Sequence, residues 1–157
     1  VRELETHSIA GVANGSAEYG PRALGNRSLL ADPRGSDVKD RVNDIKQRQK
    51  FRPFAPAILE EHAEDYFSGA VGPYMQFTTR CKYPELYPAI VHHDNTSRVQ
   101  TVSKQDNPKF RQLLEAWYKK TGCPMLLNTS LNIKGKPMVN TEQDARDFEN
   151  TYGVKVW

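Results

Sequence analysis

The chain has 157 residues, of which 38% are hydrophobic and 26% charged, and its formal net charge is +3. This length is typical of one domain with a core of ordinary size, and so small a net charge does not by itself indicate a nucleic-acid-binding protein. No run of about 18 apolar residues is present, so we expect no helix that spans a membrane.

Hydrophobic periodicity predicts strands that alternate with helices. The predicted strands lie at residues 8–13, 28–31, 54–59, 74–79, 90–93, 98–102, 124–127 and 154–157. The predicted helices or helical turns lie at residues 2–6, 36–45, 60–67, 107–122 and 141–153. Asn107 and Thr141 are typical N-cap residues, and Gly122 and Gly153 are typical of helix C-termini. The pattern predicts an α/β protein of one domain, with helices packed on an open, mixed sheet.

A glycine-rich loop separates the first two predicted strands. Gly15 and Gly20 have the spacing of a phosphate-binding Walker A loop, but Pro21-Arg22 stands where that motif requires Lys followed by Ser or Thr. Pro21 is suited to open a helical turn, and Arg22 and Arg27 would then flank free N–H groups that attract anions. The alternative is a structural loop with exposed arginines.

A row of cations follows the second predicted helix. Lys46, Arg48, Lys50 and Arg52 occupy every second position, so an extended backbone would place all four on one face. Such a face is suited to phosphate, because Arg supplies paired donors and Lys a point charge. The alternative is a solvated basic edge strand that discourages aggregation.

A second polar segment, residues 128–132, follows the predicted strand 124–127. Open α/β sheets bind ligands at the ends of buried strands, so Ser130 and Asn132 are candidate ligand contacts. Together with the cations they form a set of phosphate-type donors: Arg22, Arg27, Lys46, Arg48, Arg52, Arg98, Ser130 and Asn132. Four charge-assisted hydrogen bonds from such a set support about millimolar to micromolar binding of a nucleotide or phosphorylated metabolite.

Other chemistry finds little support in the sequence. His92-His93 with Asp94 has no obvious third ligand, so we expect no metal site there. Cys123 has no neighbouring cation to activate its thiol. It lies far from Cys81, and no signal peptide is apparent, so we expect free thiols, a reducing compartment and a cytoplasmic protein. The chain starts without Met and ends inside an apparent strand, so we expect it to be part of a longer protein.

Four separated motifs carry a resemblance to a known family. They are Glu18 to Ser28 with Ala31 to Arg34, Phe51 to Pro56, Arg98 to Val102, and Leu126 to Asn132. In this order they resemble the O-carbamoyltransferases of the NodU/CmcH/TobZ family, in the C-terminal, YrdC-like half of those proteins. The resemblance extends over residues 1–157, and it implies a YrdC-like open, twisted, mixed sheet. The larger N-terminal transferase half, with its metal site, is not part of this sequence.

The resemblance also implies substrates and residue roles. This domain would convert ATP, bound with Mg²⁺, and carbamoyl phosphate into carbamoyl-adenylate, and the N-terminal half would pass the carbamoyl group to a hydroxyl. In YrdC-like domains a K-x-R and a later S-x-N bind phosphates and the carbamoyl group. Lys46 and Arg48, and Ser130 and Asn132, match these motifs. Arg22, Arg27, Arg52 and Arg98 would complete a cationic wall, whereas Lys50 stands where an apolar or aromatic residue is expected.

Two alternatives remain at this point. One is a basic RNA-binding module of the YrdC type, although the aromatic residues Phe110 and Trp117 have the spacing of a helix core and leave few for stacking bases. The other is a folded fragment without turnover that serves only as an interaction surface.

Overall fold

The computed structural model describes residues 1–20, 22–132 and 135–157. In this part of the chain the helices are α1 (Arg2–His7), α2 (Val38–Ile45), α3 (Ala63–Tyr66), α4 (Pro108–Thr121) and α5 (Glu142–Tyr152), with 3-10 turns at Glu60–His62 and Pro88–Ile90. The strands are β1 (Ile9–Ala13), β2 (Arg27–Ala31), β3 (Ala55–Leu59), β4 (Phe67–Ser68), β5 (Thr79–Cys81), β6 (Thr96–Ser97), β7 (Gln100–Val102) and β8 (Met125–Ser130).

The strands of the described ranges form a five-stranded sheet in the order β1-β2-β8-β3-β7 and a small sheet in the order β4-β5-β6. Strand β8 lies in the centre and runs antiparallel to both β2 and β3, whereas β3 and β7 are parallel. The predicted open, mixed α/β sheet is therefore confirmed.

Both faces of the large sheet are covered, because successive side chains of a strand point to opposite sides. Leu126 of β8 belongs to the hydrophobic cluster that contains Leu114 and Trp117 of α4. Leu127 belongs to the other cluster, with Phe148 of α5. Full burial of a large apolar side chain contributes about 1.5–3 kcal/mol, so these two clusters hold the central strand in place.

Local capping signals set the ends of the two long helices. The Asn107 side chain accepts a hydrogen bond from the backbone N–H of Phe110 (3.1 Å), and α4 ends at Gly122 with φ 71°. Thr141 and Asp144 form a reciprocal capping box at the start of α5. These caps confirm the predicted helix boundaries, since each joins residues only a few positions apart.

Two predicted strands are wrong. Of residues 74–79, Thr79 alone belongs to a strand, because Met75 has φ 57° and the side chain of Gln76 accepts a hydrogen bond from the Tyr74 N–H. Residues 90–93 do not form a strand, and a 3-10 turn opened by Pro88 occupies 88–90. The two aromatic residues of this segment, Tyr74 and Phe77, are exposed, so the pattern that predicted a half-buried strand belongs to a loop.

The last predicted strand, 154–157, is represented by a single parallel bridge between Val156 and Gly11 of β1. Gly11 permits this approach, because a Cβ on it would lie 2.8 Å from Cγ2 of Val156. The predicted polar loop at 128–132 begins later than expected, since β8 continues to Ser130.

Candidate functional site

The basic segment 46–52 is a series of turns and not an extended strand. Gln47 has φ 47°, and the Lys50 side chain lies 3.4 Å from the Asp44 carboxylate at an exposed position. The prediction that alternate positions place all four cations on one face is therefore wrong. The turns separate the exposed Lys50 from Lys46 and Arg48, which are partly buried.

A buried amide holds these turns. The side-chain Nδ2 of Asn43, in α2, donates to the carbonyls of Lys50 (3.1 Å) and Arg52 (3.0 Å), and its Oδ1 accepts from Nε of Arg48 (2.8 Å). Asn43 is 0% exposed, so its amide depends on these hydrogen bonds within the protein rather than on hydrogen bonds to water. Sequence reasoning missed it; the available signal was an amide next to the apolar stripe of α2, just before a basic run.

Lys46 joins the basic turns to the end of β8. Its Nζ donates to the carbonyl of Ser130 (2.6 Å), to the Ser130 hydroxyl (3.2 Å) and to Oδ1 of Asn132. The hydroxyl of Ser130 in turn donates to Oδ1 of Asn132 (2.8 Å). Burial, and then the charge of Arg48, lower the pKa of Lys46 to about 8. The tertiary structure thus brings together Lys46 and the Ser130-Leu131-Asn132 segment.

Arg48 is fixed from two sides. Its guanidinium lies over the ring of Phe54 at 4.1 Å, and its Nη2 donates to the carbonyl of Pro53 (3.4 Å) in addition to the bond with Asn43. Burial, and then the neighbouring charge of Arg52, lower the pKa of Arg48 to about 10. The group still carries its positive charge at neutral pH, in a position that is partly desolvated.

Four arginines meet around one cavity of about 220 Å³, which we call the arginine cavity. It is lined by Arg22, Arg48, Arg52, Pro53, Phe54, Ala55, Met75, His92 and Arg98. A second cavity of about 180 Å³, the inner cavity, shares six of these residues and adds Ala23, Asn128, Thr129 and Ser130. None of these described lining residues is Asp or Glu, so the arginines face one another without a carboxylate between them. An anionic ligand would relieve this repulsion.

Arg27 lies elsewhere. It is 7% exposed, and its guanidinium donates to the carbonyls of Val139 (2.7 Å), Asn14 (3.2 Å), Asn26 (2.9 Å) and Gly15 (3.0 Å). Its donors therefore hold the glycine-rich loop, and it lines neither cavity. The helical turn predicted to open at Pro21 lies outside the described residues.

Further polar residues attach the loop that carries Arg22 to the sheet. Oε1 of Glu18 accepts from the backbone N–H groups of Leu24 (2.8 Å) and Asn26 (2.6 Å). Nε2 of Gln100, on β7, donates to the carbonyl of Leu24 (3.1 Å). Sequence reasoning did not single out Glu18 or Gln100 as contacts, because the partners of Glu18 are set by the path of its own loop and the partner of Gln100 by the order of the strands.

Metal and thiol chemistry have no obvious centre in residues 1–20, 22–132 and 135–157. This part of the chain contains no group of three or more His, Cys, Asp and Glu side chains placed to hold a metal ion. Cys81 and Cys123 are both buried and free, and burial raises the pKa of each thiol. No helix in the same ranges is long and apolar enough to cross a membrane.

The fold and the site together define an α/β domain with an arginine-lined cavity at the end of its central strand. A family model described as "Carbamoyltransferase C-terminus" matches residues 1–156. The chain therefore belongs to the carbamoyltransferase C-terminus family, as the resemblance predicted.

Relatives and a solved structure agree with this membership. The chain is 44% identical over 145 residues to nodulation protein NolO of Bradyrhizobium diazoefficiens, covering 88% of this chain and 26% of that protein. It is 45% identical over 126 residues to nodulation protein U of Sinorhizobium fredii, covering 78% of this chain and 23% of that protein. It thus spans about a quarter of the length of these relatives.

The fold is similar to part of a crystal structure of full-length HypF in a phosphate- and nucleotide-bound form. The TM-score is 0.67 at 14% identity, and the match covers 99% of this chain and 23% of that one. The identity is too low to transfer a site, but the shared fold confirms the predicted YrdC-like α/β class.

Proposed function

We propose that residues 1–157 form the C-terminal domain of a longer carbamoyltransferase, and that this domain binds ATP and carbamoyl phosphate and forms carbamoyl-adenylate. The observation that supports this most strongly is the arginine cavity, in which Arg22, Arg48, Arg52 and Arg98 converge with no carboxylate among the lining residues that the structure describes. Charge-assisted hydrogen bonds contribute about 1.5–3 kcal/mol each, so three or four of them sustain binding of a phosphorylated small molecule.

In the first step of the proposed reaction, water cleaves carbamoyl phosphate to carbamate and inorganic phosphate. A carbamate oxygen then attacks the α-phosphorus of ATP, carbamoyl-adenylate forms, and pyrophosphate leaves. Phosphoryl and nucleotidyl transfers of this kind need positioning and charge neutralisation more than an acid–base pair, which agrees with the residues that surround the cavities.

Each group has a proposed role. Lys46 and Arg48 neutralise the phosphate charge, and Ser130 and Asn132 hold the adenylate or carbamoyl end. The exposed guanidiniums of the arginine cavity, those of Arg22, Arg52 and Arg98, bind the outer phosphate oxygens. Mg²⁺ enters with ATP, because magnesium is commonly bound through substrate phosphates and few protein ligands.

The remaining steps belong to the rest of the longer protein. We propose that an N-terminal transferase domain, which carries any catalytic metal, passes the carbamoyl group to a hydroxyl of a sugar-like acceptor. The relatives NolO and nodulation protein U, both named as nodulation proteins, support an acceptor of the nodulation-factor type. We place the protein in the cytoplasm, which is consistent with the free thiols of Cys81 and Cys123.

The test is exchange of labelled pyrophosphate into ATP, driven by carbamoyl phosphate. We expect Arg48→Gln, Lys46→Ala and Ser130→Ala each to lower the exchange rate by about tenfold or more, since Arg48 and Ser130 line the inner cavity and Lys46 donates to Ser130. Lys50→Gln is the matched control, because it removes a cation from the same segment at an exposed ion pair with Asp44. Exchange that persists unchanged in the Lys46 and Ser130 variants would show that the site is misplaced.

A further inference from the structure

Asn128 occupies the middle of β8, between β2 and β3, and its side chain is held in one orientation. Nδ2 donates to the carbonyl of Ala23 (3.1 Å) and to Oε1 of Gln100 (2.8 Å). Gln100 in turn donates through Nε2 to the carbonyl of Leu24, so it presents its own oxygen to Asn128. Rotating the Asn128 amide by 180° would place its oxygen against two acceptors. Oδ1 therefore faces away from Ala23 and Gln100.

This oxygen is buried and lacks a partner. Asn128 is 2% exposed, and its Oδ1 accepts no hydrogen bond from any residue in the described ranges. Buried acceptors are nearly always satisfied in native proteins, so such an oxygen requires an explanation. The same side chain belongs to a residue that lines the inner cavity, together with Arg48 and Ser130. An unsatisfied acceptor on a residue that lines a cationic cavity is suited to a ligand that carries both an anion and an N–H or O–H donor.

We propose that Asn128 is a specificity-determining residue whose Oδ1 accepts a hydrogen bond from the –NH₂ group of the carbamoyl substrate. This inference rests on the proposed function. Apart from acidic phosphate protons, the amine is the donor group of carbamoyl phosphate, and one carbon and one oxygen separate it from phosphorus. It can therefore reach Asn128 while Arg48, in the same small cavity, binds the phosphate. The amine of adenine is separated from its phosphates by a whole nucleoside, which fits a cavity of about 180 Å³ less well.

Entry of the carbamoyl group requires a small displacement of the cavity wall, because Oδ1 is closed to solvent. Met75 lines the inner cavity and has an unbranched side chain with three rotatable bonds. Its backbone has φ 57°, in a loop and outside the regular strands. A rotation of this side chain would change the shape of the inner cavity without moving a residue of β8.

Acetyl phosphate provides the discriminating probe, because a methyl group replaces the amine while the size and phosphate are kept. In the full-length protein, competition binding should show that carbamoyl phosphate binds about tenfold or more tightly than acetyl phosphate. In Asn128→Leu this preference should fall to about twofold or less. Asn128→Asp keeps an acceptor oxygen, so it should retain the preference even if added negative charge weakens both phosphates. Thermal unfolding of each variant verifies the fold.

Two results would overturn the proposal. They are equal binding of the two phosphates by the unmodified protein and a preference that survives in Asn128→Leu. The first result is measured on the unmodified protein, so the proposal can be refuted even if Asn128→Leu does not fold. If the unmodified protein binds neither ATP nor carbamoyl phosphate, the proposed function itself fails. Equal binding of carbamoyl and acetyl phosphate refutes the role of Asn128 alone.

Discussion

Replacing Asn43 with Ala should loosen the turns that carry Arg48. The substitution removes one hydrogen bond to a charged group, at 2.8 Å from Nε of Arg48, and two to the carbonyls of Lys50 and Arg52. With about 1.5–3 kcal/mol for the charged bond and about 0.5–1.5 kcal/mol for each neutral one, the loss is roughly 2.5–6 kcal/mol. This is a large share of the stability of an ordinary domain, about 5–15 kcal/mol.

The assay combines thermal unfolding with carbamoyl-phosphate-driven pyrophosphate exchange. We expect the Tm of Asn43→Ala to fall by roughly 5–20 °C, and exchange below that temperature to fall with it because Arg48 is no longer held. Asn43→Asp keeps the oxygen that binds Arg48 and loses both donors, so it should be destabilised but retain more exchange. Asp44→Asn is a control in the neighbouring position, since it removes only the exposed ion pair with Lys50, worth about 0–1 kcal/mol.

The reasoning would be refuted by an Asn43→Ala protein whose Tm and exchange rate match those of the Asp44→Asn control. In that case the turns would be held by their backbone hydrogen bonds and by packing alone. A fall in Tm with full exchange would show a different result, namely that Asn43 supports the fold without positioning Arg48.

Four further predictions concern other residues of the domain. The pKa of Lys46 is about 8 in the folded chain and 10.5, its ordinary value, in the unfolded chain. Between these pH values the unfolded chain binds more protons, so the free energy of unfolding should rise with pH. Lys46→Met should abolish this rise when melting is measured as a function of pH. Affinity for carbamoyl phosphate, measured by calorimetry, should fall as pH rises through 8, and a flat profile would contradict a charged Lys46 in binding. Gly25→Ala should destabilise by about 1–3 kcal/mol in chemical denaturation, because φ is +120° and the new Cβ would lie 2.5 Å from the Phe110 ring; unchanged stability would argue against this close approach. Arg27→Gln should lower Tm while Arg22→Gln lowers ATP affinity at constant Tm, since the buried Arg27 donates to the carbonyls of Val139 and Gly15 and Arg22 is an exposed cavity residue. The reverse pattern would exchange their roles.

Local chemistry accounts for the elements that could be predicted. The helix caps at Asn107 and Thr141 join groups within a few residues, and the apolar stripe of α4 follows a period that any helix imposes. Such signals are present in the sequence because they need no distant partner. The family resemblance paired the K-x-R at Lys46 with the S-x-N at Ser130, which spacing alone did not connect.

The sequence by itself therefore determined the alternation of helices and strands, the mixed α/β class and the candidate cations. Only the tertiary structure decided which candidates meet: Lys46 contacts Ser130 across 84 positions of sequence, whereas Lys50, four residues from Lys46, turns to solvent. It also decided that Arg27 is buried among carbonyls and that Asn43 and Asn128 are interior amides. The physical reason is that these contacts depend on strand order and on turns held by buried side chains, and residue periodicity carries information on neither.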